Sequence, residues 1–370
     1  MNNILKKISA ITLFGIVISS TSLPVLAKTE WTIKVFDPGM SAIDINASGQ
    51  VVGKYFGTNR LFITGPDGEG ITVLDIEITG SATAINDSGQ VVGINKGGSS
   101  FITGANGVGI NYLDTLGGVG TYATDINISG QAVGYSFTST GSMHAFITGA
   151  NGVGMADLGT LGGDYSIAYG VNDSGQVVGV SETAYGDHHA FITGPGGVGM
   201  TDLGTLDGGN YSAAGSINNS GQVVGETGLV ISDEGYYEYN GFITGPNGEG
   251  MAYLGRGSQY PNFAGLDIND SGQVIGNFQT AINVAWLYSD GIFTNLGSLA
   301  VIAAAGFDFE MNATAINDKG QILGRGINPS EERSFLLTPI ISPVPEPSTY
   351  AMLLAGLGLG FMVRRRRMFL

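Results

Sequence analysis

The stretch GVNDSGQVVG, at residues 170–179, is the clearest copy of a motif that recurs along the chain. It is followed by HAFIT at residues 189–193 and by MTDLGTL at residues 200–206. The Gly-Gln pair inside it begins at seven positions spaced 40 to 51 residues apart, which are Gly49, Gly89, Gly130, Gly175, Gly221, Gly272 and Gly320. A recurrence of this length indicates that one structural unit is repeated seven times.

Each repeat contains four short runs of strand-forming residues separated by turn residues. In the fourth repeat they cover residues 166–172, 177–181, 189–193 and 200–206. Asn at the first position of the first turn and Gly at its fourth suit a type I turn followed by a left-handed residue. Four-stranded antiparallel units of about 40 to 50 residues are typical of propeller blades. The sequence therefore predicts an all-β fold, a seven-bladed β-propeller of four-stranded antiparallel blades.

The two ends of the repeat region complement each other. The seventh repeat supplies the runs Ala313–Asn317, Gln321–Gly326 and Ser334–Pro339 and then lacks a fourth. The run Trp31–Asp37 precedes the first repeat and belongs to none. We expect this N-terminal strand to become the outer strand of the seventh blade, which closes the ring and removes an exposed strand edge.

Composition excludes several classes of protein. The chain has 62 Gly among 370 residues, only 12% charged residues and 43% hydrophobic ones, a balance that argues against disorder. There is no Cys, so disulfides, thiolate metal sites and a Cys nucleophile are excluded. The net charge of −16 would repel phosphate backbones, and no nucleic-acid partner is expected.

The first 27 residues have the features of a secretory signal peptide. Lys6 and Lys7 precede the apolar run Ile8–Ile18, and the small residue Ala27 ends a suitable cleavage site. We expect export through the Sec translocon and cleavage after Ala27 by signal peptidase. The mature repeat domain would then span residues 28–340.

The C-terminal end has the features of a second sorting signal. Residues 341–349 form a linker that contains the motif Pro345, Glu346 and Pro347, and an apolar stretch ends at the cluster Arg364, Arg365, Arg366 and Arg367. The stretch is short for a membrane span, which needs about 20 residues. The positive-inside rule places the arginines in the cytoplasm. Residues 350–370 are therefore predicted to be a short C-terminal hydrophobic transmembrane anchor with an Arg-rich cytoplasmic end.

This tail resembles the PEP-CTERM sorting signal of Gram-negative bacteria. The resemblance implies export, transient anchoring in the inner membrane and processing by an exosortase, followed by a cell-surface or extracellular location. Proteins of this kind are associated with extracellular polysaccharide.

The region from about residue 31 to 340 resembles the extracellular repeat family named for its His-Ala-Phe element, the HAF repeat. The resemblance covers all seven repeats. It carries no catalytic motif and implies no assigned activity.

Two motifs in the first turn admit more than one interpretation. The pattern Asn-x-Ser matches a glycosylation acceptor, but turn chemistry already requires both residues, and a turn is favoured. Three repeats also read Asp-x-Asn-x-Ser-Gly, like half a calcium loop, beginning at Asp44, Asp125 and Asp267. The twelfth position of such a loop should be Glu, and here it is Tyr55, Ser136 or Phe278. We expect turns and no cofactor, with weak calcium binding left open.

The chain has three histidines. His144 and His189 occupy the same repeat position and are expected to pack at the start of the third strand. His188 is not explained by the repeat, and beside Asp187 and His189 it could bind a metal or transfer protons.

The variable loops are the candidate binding surface. In an up-and-down blade the two conserved turns lie on one side, and the variable connections share the other. Loops on a rigid scaffold commonly carry binding, and these are rich in Tyr and acidic residues suited to sugars. The candidate ligand-binding residues are Tyr185, His188, Tyr211, Asp233, Tyr236, Tyr237 and Tyr239.

Two functions from different classes remain at this stage. We expect a non-catalytic binding or scaffold protein associated with surface polysaccharide or with another surface protein, and we predict no catalytic residues. The alternative is a carbohydrate-active enzyme, a lyase or hydrolase, with its site on the variable-loop face. A hydrolase would need two carboxylates about 5 to 10 Å apart.

Overall fold

Short strands divided by glycine-containing turns make up most of the chain. The computed structural model describes residues 29–58, 60–74, 80–230, 237–254, 263–279, 283–307, 310–328 and 331–340, with only the backbone of residues 229, 230, 237, 238, 263 and 279. Within this part, Trp31–Ile340 forms one compact unit. No helix of the described residues is long and apolar enough to cross a membrane. The predicted signal peptide, linker and anchor lie outside the described residues.

The strands are numbered in chain order. The first nine are β1 (Glu30–Val35), β2 (Met40–Ile45), β3 (Val51–Tyr55), β4 (Leu61–Thr64), β5 (Ile71–Val73), β6 (Gly80–Ile85), β7 (Val91–Asn95), β8 (Ser100–Ile102) and β9 (Asn111–Tyr112). The next twelve are β10 (Gly117–Ile126), β11 (Ala132–Thr138), β12 (Met143–Ile147), β13 (Ala156–Gly159), β14 (Gly162–Val171), β15 (Val177–Thr183), β16 (His188–Thr193), β17 (Met200–Gly204), β18 (Tyr211–Ile217), β19 (Val223–Val230), β20 (Tyr237–Ile243) and β21 (Ala252–Tyr253). The last seven are β22 (Phe263–Ile268), β23 (Val274–Gln279), β24 (Asn283–Ser289), β25 (Ile292–Asn295), β26 (Met311–Ile316), β27 (Ile322–Ile327) and β28 (Glu332–Ile340).

Helical structure in the described residues is confined to short turns. One α-helix, α1 (Ala300–Ala304), lies between β25 and β26. The single-turn 3-10 helices are Pro66–Gly68, Ala105–Gly107, Ala150–Gly152, Pro195–Gly197, Pro246–Gly248 and Leu296–Ser298. The first five of them form the conserved turn between the third and fourth strands of a repeat.

The strands form four-stranded antiparallel units, as the sequence predicts. Four separate sheets have the orders β2-β3-β4-β5, β6-β7-β8-β9, β22-β23-β24-β25 and β1-β28-β27-β26. The expectation of seven separate blades is wrong in one respect, because β10–β21 form a single twelve-stranded sheet. That sheet consists of three antiparallel units joined by two single parallel pairs, Met143 with Tyr165 and His188 with Tyr211.

The first strand of the described chain completes the last sheet. β1 lies beside β28, and the backbone N–H of Phe36 donates to the carbonyl oxygen of Ser334 at 3.0 Å. Trp31, Ile33 and Val35 pack on the hydrophobic cluster of the last repeat. The predicted closure by the N-terminal strand is therefore confirmed.

The Gly that ends the Val-Val-Gly pattern has a packing role. Gly53, for example, is the cross-strand partner of Phe62, and a Cβ added to Gly53 would approach the Phe62 ring to 2.5 Å. The same pairing of Gly with a buried aromatic ring recurs in every repeat, at Gly93–Phe101, Gly134–Phe146, Gly179–Phe191, Gly225–Phe242, Gly276–Trp286 and Gly324–Phe335. Each ring lies over a glycine, so the Phe of the HAF element is a core residue.

The conserved Asn of each first turn is buried, which explains its recurrence better than glycosylation does. The Asn46 Oδ1 atom accepts the backbone N–H groups of Ser48 and Gln50, at 3.1 and 2.9 Å, and this holds the turn. The turn glycine Gly49 has a φ of +85°, where a side chain would be strained. The predicted turn is confirmed.

The same asparagines join each repeat to the next. Asn46 Nδ2 donates to the carbonyl oxygen of Asn86 at 3.0 Å. The bond recurs at 2.9 to 3.2 Å from each conserved Asn to the next, through Asn86, Asn127, Asn172, Asn218, Asn269 and Asn317, and Asn317 donates back to Asn46. Seven buried amides therefore form a closed cycle of hydrogen bonds.

Every first strand contains a bulge three residues before this Asn. The register shifts between Ala42 and Asp44, for example, so that Ile43 is the extra residue. The corresponding residues are Thr83, Thr124, Tyr169, Gly215, Leu266 and Thr314. Bulges re-aim side chains, and here they bring these residues to the wall of a cavity, as described next.

Candidate functional site

Two cavities lie where the seven first strands meet. One, of about 200 Å³, is lined by the conserved Asn turns, and the other, of about 170 Å³, by the bulge residues. Both share Asp44, Asp125, Ser216 and Asp267 in their walls, so they are two ends of one central channel. The strands run towards the Asn turns, so the second cavity faces the variable connections. Among the residues that the structure describes, no Lys or Arg lines either cavity.

Three aspartates in the channel wall connect neighbouring repeats. The two carboxylate oxygens of Asp44 accept the backbone N–H groups of Ile45 and Ile85, at 2.8 and 2.9 Å. Asp125 and Asp267 make the equivalent pair of bonds, to Ile126 and Val171 and to Ile268 and Ile316. These aspartates therefore lie in strands and link first strands, which corrects the prediction that they belong to the turn.

The surroundings of these carboxylates favour their protonated form. Burial raises the pKa of Asp44 to about 8, and the nearby carboxylates of Asp125 and Asp267 add to the effect. Burial likewise raises the pKa of Asp125 to about 7, and it also raises the pKa of Asp267. No group of three or more His, Asp or Glu side chains arranged to hold a metal ion was found in the part of the chain that the structure describes.

Aromatic side chains gather at the variable-loop end of the twelve-stranded sheet. Tyr122 stacks on Tyr135, its cross-strand partner, with ring centroids 4.7 Å apart and an interplanar angle of 14°. Tyr165 lies edge-on to His188 at 5.1 Å. Tyr211 lies 5.2 Å from Tyr239. Tyr165 and Tyr211 are also the residues that pair with the preceding repeat in the two parallel bridges, so the same contacts join the sheet and group the rings.

Two glutamates lie among these rings. The Tyr211 hydroxyl donates to Glu226 Oε1 at 3.0 Å, and the backbone N–H of Asp164 donates to Glu182 Oε2 at 2.8 Å. Burial raises the pKa of Glu226, and burial together with Glu226 raises that of Tyr211. Burial, with Tyr169 and Glu182 nearby, raises the pKa of Tyr165 to about 12. The tyrosines are therefore neutral hydroxyl groups at physiological pH.

Tyr169 connects this group of rings to the channel. It is a bulge residue, lines the 170 Å³ cavity and is 40% exposed. Burial raises its pKa, with further contributions from the charges of Glu226 and Tyr135. We call the following set the tyrosine cluster: Tyr122, Tyr135, Tyr165, Tyr169, Glu182, His188, Tyr211, Glu226 and Tyr239.

The structure brings together three of the predicted ligand-binding residues, His188, Tyr211 and Tyr239. Tyr185 is 94% exposed at the tip of the turn between β15 and β16. Asp233 and Tyr236, and the side chain of Tyr237, lie outside the described residues, as do the sorting-motif residues and Ala27.

Sequence reasoning missed Tyr122, Tyr135, Tyr169, Glu182 and Glu226. Two of them had a detectable signal, because Tyr135 and Glu226 follow the conserved Val-Gly at the same repeat position. No other repeat has an aromatic residue at the position of Tyr169. The exposure of Tyr169 depends on a bulge, however, and no local sequence pattern predicted that bulge.

The other two histidines have carboxylate partners that the sequence analysis did not identify. His144 Nδ1 lies 2.9 Å from Asp157, and His189 Nδ1 lies 2.9 Å from Asp202. Each Asp also accepts the backbone N–H of the Gly two residues later. The pairs tie the third strand to the fourth, so these histidines are structural, at the predicted position.

Comparison with known proteins identifies the tail. Residues 343–367 match the PEP-CTERM protein-sorting motif, as predicted. The motif marks an exported protein with a sorting tail that an exosortase-type enzyme processes. The comparison with curated proteins found no match.

Solved structures similar to this chain show the fold. YCF48 from Cyanidioschyzon merolae is 14% identical, with a TM-score of 0.52 over 85% of this chain and 100% of that one. The β-propeller domain of Cps50 (Swd1) from Myceliophteria thermophila is 7% identical, with a TM-score of 0.52 over 83% of this chain and 99% of that one. An oligogalacturonate lyase in complex with manganese is 10% identical, with a TM-score of 0.51 over 86% and 97%. At these identities the likeness establishes a propeller-like architecture and no activity.

Proposed function

We propose that this protein is an exported cell-surface or extracellular binding scaffold, and that the tyrosine cluster holds a surface polysaccharide. The observation that carries the proposal is the grouping of six tyrosines, one histidine and two glutamates at one open end of the channel. Packing of the fold does not require a Tyr at the bulge position of Tyr169, since the equivalent positions of other repeats hold residues such as Ile43 and Thr83.

The chemistry of the cluster suits a sugar chain. The apolar faces of a sugar ring pack against aromatic rings, and Tyr hydroxyl groups and carboxylates bond to sugar hydroxyls. Aromatic pairs occur on three consecutive repeats of one sheet, an arrangement that suits an extended polymer. The strands beneath them fix the backbone, so binding would require little ordering of the protein.

A carbohydrate-active enzyme, a lyase or hydrolase, is the second candidate. The observation that favours it is the raised pKa of Glu226 beside the hydroxyl of Tyr211, since catalytic carboxyl groups commonly have raised pKa values. The same shift follows from burial alone, and the binding scaffold is therefore preferred.

We also propose that the seven repeats form one ring in which the twelve-stranded sheet serves as three blades. The closed cycle of seven asparagine bonds supports this count, because each repeat donates to the next and the seventh donates to the first. The repeats would then be of the extracellular HAF type, with the HAF phenylalanines in the blade cores.

For export, we propose Sec-dependent secretion in a Gram-negative bacterium and signal-peptidase cleavage after Ala27. The span at residues 350–363 would then hold the protein transiently in the inner membrane, with the four arginines in the cytoplasm, until an exosortase releases it. The matched motif at residues 343–367 supports the sorting step.

A glycan array probed with the full-length chain in mild detergent tests the function. We expect retention of one class of polysaccharide, and loss of that retention when Tyr169 and Tyr239 are both replaced by Ala. Tyr112→Ala serves as the matched control, because Tyr112 is 56% exposed on a strand of another sheet. Absence of binding to every glycan would contradict the proposal.

The retained polysaccharide is then incubated with the protein and assayed for new reducing or unsaturated ends. A scaffold releases neither. Release that is lost in Glu226→Gln would replace the scaffold with the enzyme.

A further inference from the structure

The charges of this chain are distributed unevenly. Between Lys96 and Arg256 there is no Lys or Arg, whereas this segment holds 14 of the 31 acidic residues and all three histidines. The segment includes the whole twelve-stranded sheet. Apart from its three histidines, this sheet therefore carries only neutral or acidic side chains.

Elsewhere four of the described basic side chains, Lys34, Lys319, Arg325 and Arg333, are paired with acids. Lys34 lies 2.8 Å from Glu69, Lys319 lies 3.0 Å from Asp67, and Arg333 lies 2.6 Å from Glu331. These ion pairs belong to the sheets that contain the first and last repeats. The glutamates of the tyrosine cluster, Glu182 and Glu226, bond instead to neutral donors, a backbone N–H and a Tyr hydroxyl.

Resting on the function proposed above, we infer that the tyrosine cluster selects a polysaccharide that carries free amino groups, a hexosamine polymer, over neutral or uronic-acid polymers. An ammonium group is stabilised electrostatically both by the face of a Tyr ring and by a nearby carboxylate. The six tyrosines supply such faces, and Glu182 and Glu226 supply the charge.

The alternatives fit the same surface less well. A uronic-acid polymer would bring its carboxylates towards Glu182 and Glu226, with no Lys or Arg in the sheet to offset them. A neutral polymer would meet the same rings but would leave the carboxylates without a cationic partner. A negative potential over the cleft would also speed encounter with a cationic chain.

The channel adds titratable carboxyl groups close to the tyrosine cluster. Tyr169 lines the cavity whose wall contains Asp44, Asp125 and Asp267. Because an approaching cation stabilises ionised carboxylates, binding of an amine should be accompanied by proton release from this end of the molecule.

The test compares four hexasaccharides by titration calorimetry with the full-length chain in low-salt buffer of near-neutral pH. The probes are a glucosamine hexamer, its N-acetylated form, a neutral glucose hexamer and a galacturonic acid hexamer. We expect the glucosamine hexamer to bind at least about tenfold more tightly than the other three. The double variant Glu182→Gln/Glu226→Gln should reduce that preference to near parity while retaining affinity for the neutral hexamers. Glu249→Gln, at an exposed turn of the same sheet, should change nothing.

The possible results distinguish the inferred selectivity from the alternatives. Equal or tighter binding of the N-acetylated, glucose or galacturonic acid hexamer would overturn the inference and leave the polysaccharide scaffold standing, whereas failure of all four would overturn both. Oligolysine of matched charge that binds as tightly as the glucosamine hexamer would replace the glycan with a basic protein. If the double variant unfolds, Tyr211→Phe is used instead, because it removes the hydroxyl beside Glu226 and retains the ring. An unchanged preference for the glucosamine hexamer after Tyr169→Ala would also overturn the assignment of binding to the tyrosine cluster.

Discussion

The side chain of Asn317 donates a hydrogen bond to the backbone carbonyl oxygen of Asn46, at 2.9 Å, across 271 positions of sequence. It is the same bond that each conserved Asn makes to the next repeat, and it is the one that closes the cycle. This contact between the last repeat and the first supports the ring of seven repeats that we propose.

Replacement of Asn317 by Ala should therefore lower stability at the point of closure. The substitution leaves the buried N–H of Gln321 and the partly buried N–H of Lys319 without their acceptor, and it removes the donor to Asn46. We expect a loss of about 3 kcal/mol in the free energy of unfolding, measured by urea denaturation. Asn111→Ala, at an exposed position of β9, should lose less than about 0.5 kcal/mol. Equal losses would show that the cycle does not contribute to closure.

Deletion of residues 28–38 should open the last sheet. It removes β1 together with the packing of Ile33, Val35 and Phe36, and leaves β28 as an exposed edge. We expect a loss of about 5 kcal/mol, or a fall in Tm of about 10 °C at roughly 2 °C per kcal/mol. Calorimetry measures this loss of stability. The exposed edge should also increase self-association, which light scattering measures. A monomer of unchanged Tm would contradict the closure.

The channel aspartates predict a dependence of stability on pH. Burial raises the pKa of Asp44 from 3.8 to about 8 and that of Asp125 to about 7, so the folded state holds these protons more tightly than the unfolded state does. The free energy of unfolding should therefore decrease as pH rises from about 4 to about 8. Urea midpoints across this window measure the slope. Asp44→Asn should lower the midpoint but flatten its pH dependence, and an unchanged slope would exclude Asp44 as its source.

Substitutions in the tyrosine cluster should separate binding from stability. Tyr169 is 40% exposed, so Tyr169→Ala should change Tm by less than about 2 °C. Loss of one ring that stacks on the ligand should weaken binding of a retained glycan by about tenfold, measured by affinity electrophoresis. Phe146→Ala is the converse control, because this ring is fully buried beside Gly134, and it should lower stability far more. Full affinity in Tyr169→Ala would place the ligand elsewhere.

The sorting signals can be tested without any ligand. Neutral residues in place of Arg364–Arg367 should impair retention in the inner membrane, measured by fractionation, because on our proposal the positive charges keep that end in the cytoplasm. The mature protein should begin at Lys28 by intact mass. Recovery of chains that begin at Met1, or unchanged fractionation of the arginine variant, would contradict these roles.

The repeat was readable from the sequence because its elements are local. Asn and Gly at fixed separation specify a turn whatever lies around it, and a glycine opposite a Phe in the next strand is a pairing between near neighbours in the chain. These signals predicted the antiparallel four-stranded units and, from the unmatched run Trp31–Asp37, the closing strand.

Sequence alone determined the repeat, its turns, the acidic character of residues 97–255 and the C-terminal sorting motif, since each of these depends on residue identity at short range. The tertiary structure decided that residues 117–254 form one sheet, that bulges aim Tyr169 and its counterparts at a channel, and that Tyr211 meets Glu226. It also decided that Asp44, which resembles a turn residue in sequence, links two repeats. The reason is physical: these contacts join residues 15 to 271 positions apart, and their partners are chosen by how the sheets pack around a common axis, which no local pattern encodes.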